Sequence, residues 1–274
     1  MDRYCDAHLY FANWGTRILM LRLPATLLDM STARRYCDGE TAAARRTRKN
    51  TVLEWRSEDE DGEEDWVDGG PGPLGALVGV RAELAAGDLR PLYLGWLAAL
   101  TADRYGSSEG MNDEDDDGDV LEPPVPAGLG RLTGAQRALA DFLRVDADLL
   151  EVAVEASAAA DNEAGNAATA VDRWIKGLTA GQRDEALRRL LSDDDPHVRA
   201  ELLRAARPRT VARDRGTRTV RTLLQAAAER AEAREWARRR ELAEQRARRE
   251  QQARRERDRR LDELAARANA RGPR

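Results

Sequence analysis

The stretch that decides the fold reads Pro73-Leu-Gly-Ala-Leu-Val-Gly-Val-Arg-Ala-Glu-Leu-Ala-Ala-Gly87-Asp-Leu-Arg-Pro91-Leu-Tyr-Leu-Gly-Trp-Leu-Ala-Ala-Leu100. Two apolar segments are joined by a Gly-Asp-x-x-Pro turn, which predicts helices over 74–86 and 91–103. Tyr93 and Trp96 are the heavy packing groups of the second. An acidic run lies on each side, at 57–68 and 113–119. The pair therefore reads as the core-facing bridge between an N-terminal sheet and a helical half.

Upstream, residues 8–23 read as a β-hairpin, with Asn13-Trp14-Gly15 supplying a turn that tolerates positive φ. Arg17, Leu19 and Leu21 alternate with Ile18, Met20 and Arg22, so both faces of the second strand read as mainly apolar and covered. Pro24 ends it, since proline donates nothing to a ladder. Leu27 to Tyr36 suits a short helix. Thr51-Val-Leu-Glu-Trp-Arg56 is a third strand by its β-branched and aromatic content. Residues 39–50 are basic and small and carry no assignable period.

Downstream, Tyr105 to Gly130 reads as a loop, its Glu122-Pro-Pro-Val-Pro126 segment disfavouring helix. Thr133 caps a helix running to Leu143, and Asp146 to Ala158 fits another. Residues 159–166 form the weakest joint. Three short helices come next, over about 167–178, 180–192 and 196–206. The last two resemble a single HEAT-type unit, with Asp195 as cap and Pro196 in the first turn. One copy supports local helix packing rather than a solenoid.

Thr217 to Ala270 contains no Pro or Gly. It reads as one helix of about 54 residues, about 80 Å long at 1.5 Å per residue. Val220, Leu223, Leu224, Ala227 and Ala231 suit docking of its first turns. Leu242, Leu261 and Leu264 are too few for a sustained coiled-coil seam. Glu235–Arg239, Glu244–Arg248, Glu250–Arg254, Glu256–Arg260 and Glu263–Arg267 all stand at i,i+4 in the favourable order, so the helix can support itself in solvent.

The expected fold is therefore α+β: a small N-terminal antiparallel sheet packed on helices, then a helical half ending in a long solvent-exposed single helix. The expected divisions are 1–160, an α+β body with two acidic loops; 161–210, a small helical segment; and 211–274, an Arg/Glu-rich extended helix.

Charge is unevenly spread along the 274 residues. Within a net value of −5, residues 51–160 hold 25 acidic and 7 basic side chains and residues 207–274 hold 22 basic and 11 acidic. The first 24 residues carry Asp2, Arg3, Asp6 and Arg17, and no run of about 18 apolar residues occurs, so neither a signal peptide nor a membrane span is expected. Two cysteines and no export signal point to a reducing cytoplasm.

Candidate chemistry is sparse. Cys5-x-x-His8 with Cys37 offers three zinc ligands of suitable softness, but no fourth is in place, and small buried thiols beside a strand histidine explain the pattern as well. A Cys–His nucleophile would need a lowered thiol pKa and an orienting group. Asp113-x-Asp115-x-Asp117-Gly118 matches the start of a calcium loop and fails at its twelfth position, Pro124. Ser57-x-Asp59-x-Asp61-Gly62 is a looser match. Gly69-Gly-Pro-Gly-Pro73 has prolines where a phosphate cradle needs amides. His197, beside a helix start, reads as structural. No cofactor is implied.

The Arg-rich arm is the strongest interaction signal. Arg238, Arg239, Arg240, Arg246, Arg248, Arg249, Arg254 and Arg255 are the candidate contacts for a partner or for phosphates. Interleaved Glu residues offset much of their field, and Trp236 is the arm's lone aromatic for stacking. The leading expectation is a cytoplasmic, non-enzymatic interaction or scaffolding protein with a protein partner, its arm solvated or oligomerising. A nucleic-acid-associated protein using the arm is the alternative. A metalloprotein or enzyme centred on Cys5 and His8 is the third.

Tyr10-Phe-Ala-Asn-Trp-Gly-Thr16 with Leu19-Met-Leu-Arg-Leu-Pro24, Ser57-Glu-Asp-Glu60, Gly87-Asp-Leu-Arg90, Leu92-Tyr-Leu-Gly-Trp-Leu97 and Glu122-Pro-Pro-Val-Pro126 resemble a family of uncharacterised, actinobacterial-type proteins. The likeness covers about residues 4–155, and the arm after Thr217 is similar too. It implies no particular activity.

Overall fold

A computed structural model of the chain describes residues 6–11, 16–58, 72–106, 120–158, 163–192, 197–206 and 218–269. The fold is α+β, with four antiparallel strands near the N-terminus and nine α-helices among the described residues. By its contacts the chain divides into two units, Met1–Leu224 and Gln225–Arg274.

The expected hairpin is present as β1 (Ala7–Phe11) and β2 (Arg17–Pro24), paired from Ala7↔Leu21 to Phe11↔Arg17. Its turn residues 13–15 lie outside the described residues. β4 (Asn50–Ser57) is the expected third strand and pairs with β2 along its whole length. The unassigned segment contains a further strand, β3 (Ala42–Thr47), which pairs with β4 alone at the sheet edge. A two-residue loop, Arg48-Lys49, joins them, with Arg48 at φ 51°. The order is β1-β2-β4-β3.

One face of the sheet is closed by helices. Leu19, Leu21 and Leu23 of β2 and Leu53 and Trp55 of β4 are buried on it. The opposite face is less fully closed than expected: Ile18, Met20 and Arg22 are half-buried, although Val52, which shares that face, is buried.

Helix α1 (Met30–Arg34) is capped by Asp29, whose carboxylate accepts from the Thr32 amide. Hydrogen bonds from Ser31 and Thr32 outweigh the effect of its partial burial and hold its pKa down to about 2.

The deciding stretch forms α2 (Gly72–Ala85) and α3 (Arg90–Gly106). Gly87 sits at φ 88°, while its amide donates to Leu84 O at 2.9 Å and that of Asp88 to Glu83 O at 3.0 Å. Those two bonds define a Schellman stop, which needs the left-handed conformation glycine adopts freely. Pro91 falls in the first turn of α3, where a missing N–H costs nothing. Leu77, Val80 and Leu84 of α2 and Leu92, Tyr93, Leu94 and Leu97 of α3 supply the helical side of the core.

Helix α4 (Gly134–Phe142) starts at the Thr133–Gln136 capping box, and α5 (Ala147–Ala156) at Asp146. A 3-10 turn at Leu129–Arg131 precedes them. Helices α6 (Glu163–Gly177), α7 (Ala180–Leu191) and α8 (Val198–Ala206) come next, with α8 against α6, α7 and α2. The expected cap Asp195 and first-turn residue Pro196 lie outside the described residues. Helix α9 runs unbroken from Val220 to Asn269. Val220 and Leu223, in the first unit, are buried.

Candidate functional site

The eight candidate arginines all lie on α9, and all are exposed. At about 100° per residue they are distributed around the helix rather than along one strip. Arg239 donates to Glu235 at 2.9 Å, closing one of the expected i,i+4 pairs. Arg240 donates to Glu244 at 3.1 Å and lies 5.6 Å from the centre of the Trp236 ring. Among the described residues, Arg238, Arg246, Arg248, Arg249, Arg254 and Arg255 make no ion pair. The helix thus presents a mixed-charge surface that is locally basic.

The Cys/His set is not gathered. Cys5 lies outside the described residues, His8 is exposed on β1, and Cys37 comes just after α1, which packs on β3. β1 and β3 are opposite edges of the sheet, three strand spacings or about 14 Å apart. The Cys37 thiol donates to Ala33 O at 3.2 Å, and burial together with the Asp38 charge pushes its pKa up to about 11. A reactive thiolate needs the opposite shift. Among the described residues no His/Cys/Asp/Glu group is placed to hold a metal ion. The carboxylates at 59–68 and 113–119 lie outside the described residues. His197 precedes α8, its carbonyl accepting from the Glu201 amide at 3.0 Å.

A buried polar cluster that sequence reading misses lies where α9 begins. Leu121 bridges to Thr219, the Glu122 amide donates to Arg218 O at 3.0 Å, and the Val220 amide donates to Val120 O at 2.9 Å. This short ladder places Glu122, 2% exposed, between Tyr93 and Arg218. The Tyr93 hydroxyl donates to Glu122 Oε1. Arg218 donates through Nε to Oε2 at 2.9 Å and through Nη2 to Oε1 at 2.7 Å, while its Nη1 reaches Val152 O at 3.2 Å. Burial, then the Glu122 charge, raises the Tyr93 pKa far above its usual value. Burial opposes the Arg218 charge, but Glu122 more than offsets it, so that pKa is raised too. Tyr36 packs edge-on to Tyr93 and donates to Pro124 O at 2.8 Å. Its hydroxyl pKa is pushed up to about 12 by burial.

A second cluster sits at the α2–α3 turn. Arg90, 4% exposed, meets Asp88 at 2.6 Å and donates to Gly128 O and Arg131 O at 3.2 Å each. Gln136 Nε2 donates to Glu83 and to Asp88, both at 2.8 Å, and Thr133 donates to Glu83 at 2.6 Å. Each donor in these clusters ends on a named acceptor, so their chemistry is that of clamps: they join distant segments and hold charges in place. The Thr133-x-x-Gln136 spacing foreshadows part of the second. Nothing local distinguishes Glu122 or Arg218.

No helix among the described residues is long and apolar enough to cross a membrane. Comparison with protein-family models, curated proteins and solved structures gives no match to this chain.

Proposed function

We propose that this chain is a non-enzymatic cytoplasmic interaction protein, with α9 as its partner-binding surface and the unit Met1–Leu224 as its folded body. One observation carries this reading: every residue from Glu232 to Leu264 is exposed. A helix that is polar all round contributes little burial, so its length has to be sustained by side-chain pairs such as Glu235–Arg239 and Arg240–Glu244. Trp236 at 64% exposure and Leu261 at 58% are large apolar groups available to a protein partner or a second copy.

Sedimentation velocity on the chain, with and without residues 225–274, tests the oligomeric form of this reading. A full chain heavier than a monomer, reduced to a monomer by the deletion, is expected. A monomer in both, together with no partner cross-linked through position 236, would sink it.

The six arginines without ion pairs favour a second reading, attachment to nucleic acid through α9. Fluorescence anisotropy against DNA and RNA at two salt concentrations tests it. Absence of binding at low salt rejects it, since phosphate contacts are strongest there.

A further inference from the structure

We propose that the outer face of the four-stranded sheet, with the β3–β4 hairpin, is a binding platform for single-stranded nucleic acid. It is separate from α9 and goes beyond the function proposed for that helix.

The placement is dictated by register. Leu19, Leu21 and Leu23 turn one face of β2 into the core, so Ile18, Met20 and Arg22 belong to the other. Cross-strand partners share a face. One row of that face is therefore Tyr10, Ile18 and Arg56, and the next is His8, Met20, Glu54 and Ala43. Arg22, Val52 and Arg45 make a third, in which Val52 is buried. Tyr10 is 40% exposed, His8 is exposed, and the Arg45 and Arg56 side chains are 57% and 47% exposed. An aromatic ring and an imidazole at one edge thus face guanidinium groups at the other, about 10–14 Å away across two or three strand spacings.

Charge selects the occupant. Residues 42–57 hold five cations, Arg45, Arg46, Arg48, Lys49 and Arg56, against the single carboxylate of Glu54, in a chain whose net charge is −5. Arg48 and Lys49, in the loop, are exposed and make no ion pair among the described residues, whereas Arg46 shares the core-side face with Thr51 and Leu23. Glu54 lies 3.9 Å from Arg45 and 3.3 Å from Arg56, so it restrains those two and leaves the hairpin cations unopposed. A basic track beside an exposed tyrosine is the arrangement that tracks a phosphate backbone while a base stacks. A duplex would satisfy the cations but keep its bases from Tyr10. That difference favours a single strand.

The test is anisotropy of the full chain with a fluorescein-labelled oligo-dT of about 12 nucleotides, against a duplex of equal length. Three phosphate contacts predict that affinity falls about twentyfold between about 50 and 200 mM salt. The triple variant Arg45→Ala, Arg48→Ala, Lys49→Ala should lose most of that salt dependence and bind at least about tenfold more weakly at low salt. Tyr10→Leu should weaken the single strand about tenfold while leaving duplex binding unchanged. Glu54→Gln, which removes the one opposing charge, should tighten binding. It keeps the proposal open to refutation even where the triple variant unfolds. The six-arginine variant of α9, with Arg238, Arg246, Arg248, Arg249, Arg254 and Arg255 changed to Gln, should bind like the parent. The proposal is overturned by no binding at low salt, by loss confined to the α9 variant, by duplex and single strand binding alike with Tyr10→Leu silent, or by Glu54→Gln failing to strengthen binding.

Discussion

The indole of Trp55 fills the space that a side chain at Gly95 would need: a Cβ there would stand 2.1 Å from Nε1 and 2.7 Å from Cδ1. Trp55 lies on β4 and Gly95 in the middle of α3, so this contact sets how closely the helix backbone approaches the sheet.

Gly95→Ala therefore forces either the buried indole or the whole helix to move. Overpacking of a filled core costs about 1–3 kcal/mol, and this overlap places the variant at the upper end. Urea unfolding of the variant should show that loss. An unchanged midpoint would mean that α3 does not sit against Trp55.

Trp96, 8% exposed and 5.5 Å from the Tyr93 ring centre, is the neighbouring anchor. Its truncation to Ala leaves a cavity instead of a clash. The expected cost is about 3–5 kcal/mol, enough to unfold a marginal body. Near-ultraviolet circular dichroism and thermal melting read the outcome, and an equally stable variant would contradict the packing.

Glu122, which is buried, and Arg218, which is part-buried, form an ion pair separated by 96 positions. Glu122→Ala leaves a guanidinium without its counter-charge and a phenol without its acceptor, at about 3–5 kcal/mol. The double variant Glu122→Ala, Arg218→Ala should be less destabilised than the two single losses added. A double-mutant cycle with no coupling would show that the two do not act together.

Asp29 supplies a pH-dependent contribution. Its folded-state pKa, about 2, lies below the usual aspartate value, so the stability it adds is present at neutral pH. That stability is lost as pH falls from about 4 through about 2. Asp29→Ala should cost about 1 kcal/mol at pH 7. The difference between parent and variant should shrink through that acid window, and a gap independent of pH would refute the assignment.

Much of the architecture was legible from local pattern. The Gly-Asp-x-x-Pro turn separates α2 from α3 because Gly87 satisfies a helix stop and Pro91 a helix start. Thr133 and Asp146 act as caps through side-chain bonds made within three residues. The arm read as 217–270 is a helix over Val220–Asn269, since no residue in that span interrupts it. β3 was not legible: Ala42-Ala-Ala-Arg-Arg-Thr47 has no alternation, and its pairing to β4 defines it as a strand. The interior role of Glu122 was likewise hidden, because a carboxylate among prolines has the local signature of a loop.

What the amino-acid sequence by itself determined is whatever rests on neighbours three to five positions apart: the helices and their caps, the hairpin, and the self-paired helix α9. The tertiary structure alone decided which face of the sheet is closed, how near α3 comes to Trp55, and that Glu122 meets Tyr93 and Arg218. Those depend on groups 29 to 96 positions apart meeting across packed elements. The burial that makes such contacts strong exists only once the core has closed around them.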